Sequence, residues 1–308
     1  MTTVAVLGAS GMLGAMTTDV LAAEKDLRVI GTVRNSQARD RFAEMYPDVE
    51  WRLLDAELAG ESAVAAAISG AAWAVNCIGI IKPYIHDDNA DETERALKVN
   101  SLFPQFLAKA AQKSGTRVLQ IATDCVYSGS QGAYPESAPH DALDVYGKTK
   151  SLGEPYVGGT HLMRCSIIGP EPKAFVSLLE WFLGRPRGAQ VNGFTNHRWN
   201  GVTTYHFAKL CKAIIGGGLQ LPRAQHVVAS GSLSKSEMLS CFARVYGRED
   251  VVITPVEAKV VIDRTLSTEN PTLNAQLWKA AGYPEPPTVP QMIEEMGSVS
   301  CRWREKRR

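Results

Sequence analysis

Short, unbroken apolar runs alternate with segments of helical spacing through the first 170 residues of the chain. "TVAVLG" (3–8) reads as a buried strand and "MLGAMTTDVLAAE" (12–24) as a helix. "RVIGTVR" (28–34) and "WAVNCIG" (73–79) are further strands, with a helix at "AVAAAISG" (63–70). A long helix spans 92–115 and ends at a glycine cap; strands follow at "RVLQIATDCVY" (117–127) and "THLMRCSIIG" (160–169). Strands that are apolar on both faces must be covered on both faces. The pattern therefore predicts an α/β fold: a doubly wound parallel sheet with helices on either side.

Beyond residue 170 the texture changes. Pro, Gly and aromatic residues interrupt the pattern over 170–202, and an amphipathic helix follows at "TTYHFAKLCKAIIGGG" (203–218). "AQHVVAS" (224–230) supplies one more strand for the main sheet. A helix at "KSEMLSCFARVYG", a strand at "DVVITPVE" and a closing helix at "VPQMIEEMG" complete the reading. The expected organisation is a dinucleotide-binding domain over 1–169, joined again by about 203–230. A smaller substrate-binding lobe is expected from 170–202 and 231–308, with no clean linker between the two.

"VAVLGASGMLG" sets Gly8, Gly11 and Gly14 between the first strand and the first helix. Glycines there permit a tight turn and close backbone approach, so that helix amides face a pyrophosphate at the positive end of the helix dipole. Gly8, Ser10, Gly11, Met12, Leu13 and Gly14 are the candidate contacts. At the end of the second strand an Asp or Glu would bind a ribose 2′-hydroxyl. This chain has Arg34 instead, which suits a 2′-phosphate and so NADPH, with NADH the alternative. Asp55, after a short strand, is a candidate adenine contact or a loop cap. Cys77 and Ile78 end a strand where an adenosine ribose would lie.

"DVYGKTKSLGE" (144–154) places Tyr146 and Lys150 four positions apart, on one face of a helix. Alone, the pair reads better as a half-exposed aromatic beside a solvated charge. Pro155 predicts an early helix end just beyond it.

In order along the chain, the glycine turn, "ATDCVY" and Tyr-x-x-x-Lys, with "MRCSIIGPE" beyond, resemble the extended short-chain dehydrogenase/reductase superfamily. Within it they resemble the dTDP-4-dehydrorhamnose reductase-like group. The likeness is good over about 3–215 and loose beyond. It implies a Rossmann fold and reduction of a 4-keto-6-deoxy sugar nucleotide by NADPH. Tyr146 would be the general acid. Lys150 would hold the nicotinamide ribose and keep the phenol pKa low, Thr123 would bind the reacting oxygen, and Asn100 would have a supporting role. Asp124 and Cys125 would border the substrate, Cys125 standing where such reductases usually carry Tyr. Asn196, Arg198, Trp199 and Arg264 are candidates for hydroxyls, stacking and diphosphate, whereas His197 reads as structural. The alternatives are a sugar-nucleotide epimerase or dehydratase, or a non-catalytic NADP-binding regulatory subunit.

The bulk composition excludes several other classes. With 33 Lys+Arg against 32 Asp+Glu the formal charge is +1, so no global field calls for nucleic acid. No apolar run approaches the ~20 residues of a membrane span. The six cysteines show no metal-ligand spacing, and the N-terminus has no signal-peptide pattern. A cytoplasmic protein without a bound metal is expected, and a homodimer is compatible with the resemblance. The basic tail "RWREKRR" (302–308) reads as a frayed, solvated end.

Overall fold

In the computed structural model, which describes residues 1–305, strands and helices alternate from the first residues. The order is β1 (Thr2–Leu7), α1 (Met12–Ala22), β2 (Leu27–Val33), α2 (Ser36–Met45), β3 (Glu50–Leu53), α3 (Glu61–Ile68) and β4 (Trp73–Asn76). Next come α4 (Ala90–Ala96), α5 (Phe103–Ser114), β5 (Arg117–Ala122), α6 (Val145–Leu152), β6 (Thr160–Arg164), β7 (Ile167–Ile168) and α7 (Leu178–Leu183). Then follow β8 (Gln190–Phe194), β9 (His197–Trp199), β10 (Val202–Thr203), α8 (Thr204–Gly217), β11 (Ala224–His226), β12 (Leu233–Ser234) and α9 (Lys235–Val245). The chain closes with β13 (Val252–Val256), β14 (Ile262–Asp263), α10 (Pro271–Ala280), α11 (Val289–Ser298) and α12 (Arg302–Glu305).

Seven strands form one parallel sheet in the order β11-β6-β5-β4-β1-β2-β3. The order reverses between β1 and β4. That crevice, outside the carboxyl ends of the strands, is where doubly wound sheets bind ligands. One face of the sheet is covered by α3 and α5, through residues such as Leu7, Ile68, Phe103 and Leu107. On the other face a single apolar core runs without a break from Val4 and Met16 through α8 to Phe242, Trp278 and Met292. The C-terminal segments thus share the core of the first half. Three small sheets carry the rest: β7 with β10, β8 with β13, and β9 between β12 and β14.

Several expectations need correction. The strand expected to run to residue 127 stops at Ala122, because the Thr123 hydroxyl accepts from the Cys125 amide (3.1 Å) and starts a tight turn over Asp124–Val126. The segment expected as one strand over 160–169 divides into β6 and β7, and β7 leaves the main sheet to pair with β10. The long helix carries a π-helical stretch at Leu97–Leu102 before it ends on Gly115, which has a left-handed φ of 75°. Helices α2, α7, α10 and α12 had no counterpart in the reading. The tail is only partly solvated: Trp303 is buried, and Arg302 lies over the Tyr46 ring. Residues 306–308 of that tail lie outside the described residues. Among the described residues no helix is long and apolar enough to cross a membrane, and no cluster of His, Cys, Asp and Glu could hold a metal ion.

Candidate active site

The turn between β1 and α1 is built for close approach. Gly8 has φ 77°, and a Cβ on it would come 2.7 Å from Ile78 Cγ1. A Cβ on Gly14 would come 2.1 Å from the Gly8 carbonyl oxygen, so the helix packs directly on the turn. Gly11 is the N-cap of α1, without a capping side chain and without an acid in the first turn. The first-turn amides of Met12, Leu13 and Gly14 are therefore free for an anion, with the helix dipole favouring it. The Ala9 amide bonds to Thr32 O (2.9 Å) and the Gly8 amide to Thr32 Oγ1 (3.0 Å), which fastens the turn to the end of β2. Arg34 emerges there, exposed. These residues fit a dinucleotide.

Asp55 follows β3, but its Oδ1 accepts from the Glu57 amide (3.0 Å), the loop-capping reading. Cys77 turns toward α1, its Sγ 3.8 Å from Thr17 Oγ1, and burial pushes its thiol up to about 12. Ile78 lies against Gly8 on the opposite wall of the crevice.

Across the crevice, Tyr146 and Lys150 share the inner face of α6. Asp144 caps that helix, accepting from the Gly147 amide (2.7 Å), and pairs with Lys82 (2.6 Å), whose Nζ stands 5.9 Å from the centre of the Tyr146 ring. The Thr123 side chain lies near enough to the Tyr146 phenol to act on it, at the carboxyl end of β5. Burial is the largest cause raising the phenol well above its ordinary value, and the negative charge of Cys125, Asp124 and Asp144 would add to it. The phenol pKa expected to be low is thus raised by its protein surroundings, chiefly by burial. Lys150 is itself buried; desolvation is the main cause that lowers it to about 8. Its Nζ donates to Ile121 O (3.3 Å) and lies 3.9 Å from where a Gly79 Cβ would sit, at the end of β4.

Two buried networks hold this face in place. Asn100, in the π-helical turn, accepts from the Ile80 amide (2.8 Å) and donates to Ile80 O (3.0 Å), and its Nδ2 also reaches Thr149 Oγ1 (3.4 Å). Gly153, capping α6, passes so near that a Cβ there would stand 1.8 Å from Asn100 O. Helix α6 ends at Leu152, ahead of Pro155 as expected. Arg164 is buried and grips Glu154 through both nitrogens (2.6 and 2.8 Å). Its NH1 also donates to Thr123 O (3.1 Å) and its Nε to His226 Nε2 (3.0 Å). The fork ties the end of α6 to the strand end that carries Thr123.

Asp124 is buried beside Thr123, and desolvation raises its carboxyl. Cys125 borders the same space; burial pushes its thiol up to about 12, which leaves no thiolate for a nucleophile. Arg264 reaches back from the end of β14 to donate to Tyr127 O (2.8 Å) and Ser128 O (3.1 Å), and its charge acts on Asp124 and Asp144. The other lobe candidates are engaged elsewhere. Asn196 spends both ends of its amide on Ala258 (2.8 and 3.0 Å), and Arg198 bonds to Ser232 (2.6 Å). Trp199 packs on Gly201 and the core, and His197 bonds to Val260 O (3.0 Å), structural as read. These contacts occupy the Asn196 amide and hold Arg198 and Trp199 within the lobe. The sequence reading gave Lys82, Arg164 and Glu154 no role, because each acts on a group 10 or more positions away.

Fold and site together define a doubly wound dinucleotide-type protein, with a Tyr–Lys pair and a Thr hydroxyl gathered at the point where its strand order reverses. A family model described as the RmlD substrate binding domain matches residues 1–299. The chain belongs to that family. A curated dTDP-4-dehydrorhamnose reductase of Streptomyces griseus is 31% identical over 150 residues, 48% of this chain and 42% of the relative. One from Mycolicibacterium smegmatis is 26% identical over 185 residues, 58% and 45% respectively. The chain thus spans less than half the length of these relatives. Among solved structures, a dTDP-4-dehydrorhamnose reductase from Bacillus anthracis in complex with NADP is similar with TM-score 0.72 at 19% identity, covering 96% of this chain and 99% of the other. A UDP-glucuronic acid 4-epimerase from Bacillus cereus in complex with UDP-glucuronic acid and NAD reaches TM-score 0.73 at 13% identity, covering 99% of each. At these identities the likeness is one of fold.

Proposed function

We propose that the protein is an NADPH-dependent reductase of a 4-keto-6-deoxy sugar nucleotide of the dTDP-4-dehydrorhamnose type. The observation that carries this reading is that Tyr146 and Lys150 share one face of α6 beside Thr123, with the Lys150 ammonium at the ends of β4 and β5 opposite the glycine turn. The names of the curated relatives and the NADP of one structural neighbour support it.

When bound, the dinucleotide supplies hydride to the carbonyl carbon. Tyr146 donates its proton to the carbonyl oxygen, and the raised phenol keeps that proton available at neutral pH. Thr123 orients the phenol and shares the reacting oxygen. Lys150, protonated below about 8, holds the ribose beside Gly79 and supplies positive charge when the phenol has given up its proton. Asp124, Cys125 and Arg264 border the sugar, and Arg34 favours the 2′-phosphate. A homodimer is compatible with this scheme, which requires no nucleic acid.

The shared fold of the 4-epimerase keeps one competing reading in play. Counting cofactor against product separates the two. A reductase consumes one NADPH per hydroxy sugar formed from dTDP-4-dehydrorhamnose, whereas an epimerase consumes none in net. Product without loss of NADPH would overturn the reductase reading.

A further inference from the structure

Lys173 lies on the loop between β7 and α7, outside the strand–turn–helix that makes the dinucleotide site. Its Nζ nevertheless comes 3.2 Å from Ser10 Oγ, in the middle of the glycine turn. Arg34 and Arg41 both act on its ammonium as like charges. None of the three cations has an ion-pair partner among the described residues. Three positive groups brought together without a carboxylate repel one another, and an anion placed among them removes that repulsion.

The location indicates which anion. Because Ala9 and Gly8 are bonded to Thr32, Ser10 and Arg34 flank one gap at the carboxyl ends of β1 and β2. In doubly wound dinucleotide sites that gap receives the adenosine ribose, and an acid at the end of β2 takes its 2′-hydroxyl. Here the strand ends on Arg34 and Asn35, with no acid. A phosphomonoester carries about two negative charges at neutral pH, enough to answer more than one cation.

The loop is held so that Lys173 turns back over the site. Glu171 is buried, and its carboxylate accepts from the Val176 and Ser177 amides (both 3.0 Å), while its own amide donates to Glu180 Oε1 (2.9 Å). Between these anchors Ala174 and Phe175 adopt left-handed φ values of 72° and 58°, a conformation that side-chain-bearing residues avoid unless neighbours impose it.

We propose that Lys173 is a ligand of the cofactor's adenosine 2′-phosphate, supplied by the loop that leads into the second lobe and closing a clamp whose other side is Arg34. The inference rests on the NADPH reading above and deepens it. Selection of NADPH over NADH then depends on a residue far in sequence from the glycine turn, and NADPH alone engages the loop ahead of α7.

The test is calorimetric titration of the full chain, and of its Lys173→Met and Lys173→Arg variants, with NADPH, NADH and adenosine 2′,5′-bisphosphate. Lys173 is exposed, so neither variant disturbs the core. Lys173→Met is expected to weaken NADPH and the bisphosphate by about tenfold or more and NADH by less than about twofold, with Lys173→Arg close to wild type. Equal losses for NADPH and NADH would place Lys173 on the pyrophosphate and overturn the proposal, as would no loss for either. Wild-type protein that binds NADPH no more tightly than NADH would instead remove the NADPH reading on which it rests.

Discussion

Replacing Gly153 by Ala tests how the catalytic helix is held. The added Cβ would stand 1.8 Å from Asn100 O and 2.9 Å from Asn100 C, backbone atoms of the π-helical turn that cannot rotate aside. An ordinary contact needs about 3.4 Å or more, so α6 and that turn must part by roughly 1.6 Å. Overpacking of this kind costs about 1–3 kcal/mol of stability, which a domain of ordinary stability survives. The consequence for chemistry is larger, since a misplacement near 1 Å costs about a hundredfold in rate. Because Tyr146 and Lys150 ride on α6 while the glycine turn lies across the crevice, kcat/KM should fall about a hundredfold and NADPH affinity, which loses only the Lys150 hold on the ribose, by far less. Steady-state kinetics, calorimetry and a thermal melt report the three quantities together. A folded Gly153→Ala protein with kcat/KM within threefold of wild type would refute the argument that this contact positions the pair.

Other perturbations separate further parts of the account. Gly216 in α8 has open space where a Cβ would go and no positive φ, so Gly216→Ala should raise stability by about 0.4–1 kcal/mol in denaturant titration without affecting catalysis. His226 Nδ1 faces Ser267 O (2.8 Å), which can only accept, and its Nε2 accepts a hydrogen bond from Arg164 Nε (3.0 Å), so the ring must be neutral; burial, the first cause, holds it down to about 4. His206 is likewise held down to about 4, chiefly by burial. For a base with a depressed folded pKa the stabilisation is present above the unfolded value of about 6.5 and is lost as pH falls toward 4. The melting temperature should therefore drop between pH 7 and 4, and His226→Gln should flatten part of that slope. Lys150, lowered to about 8, should impose an alkaline limb, kcat/KM falling above pH 8 in wild type.

What the sequence disclosed was what local chemistry can encode. The glycine spacing fixed the β1 turn, since only a missing Cβ admits the Gly8–Gly14 approach, and helical periodicity set Tyr146 and Lys150 on one face. Strand ends were harder. The strand stops at Ala122 rather than at 127 because a single Thr123 hydroxyl competes with the ladder for the next amides. Polar loops were hardest of all. Asn196 and Arg198 resemble ligand-binding residues in a linear reading, but the partners that occupy them, Ala258 and Ser232, arrive from more than 30 positions away. For the same reason Lys82, Arg164 and Lys173 gave no signal: each acquires its place by meeting a group from a distant segment.

Single-turnover oxidation of NADPH by the Tyr146→Phe variant, mixed with dTDP-4-dehydrorhamnose, tests proton donation by this phenol most directly. The account predicts a rate about 10²–10⁴-fold below wild type with NADPH binding retained. Oxidation at the wild-type rate would contradict it.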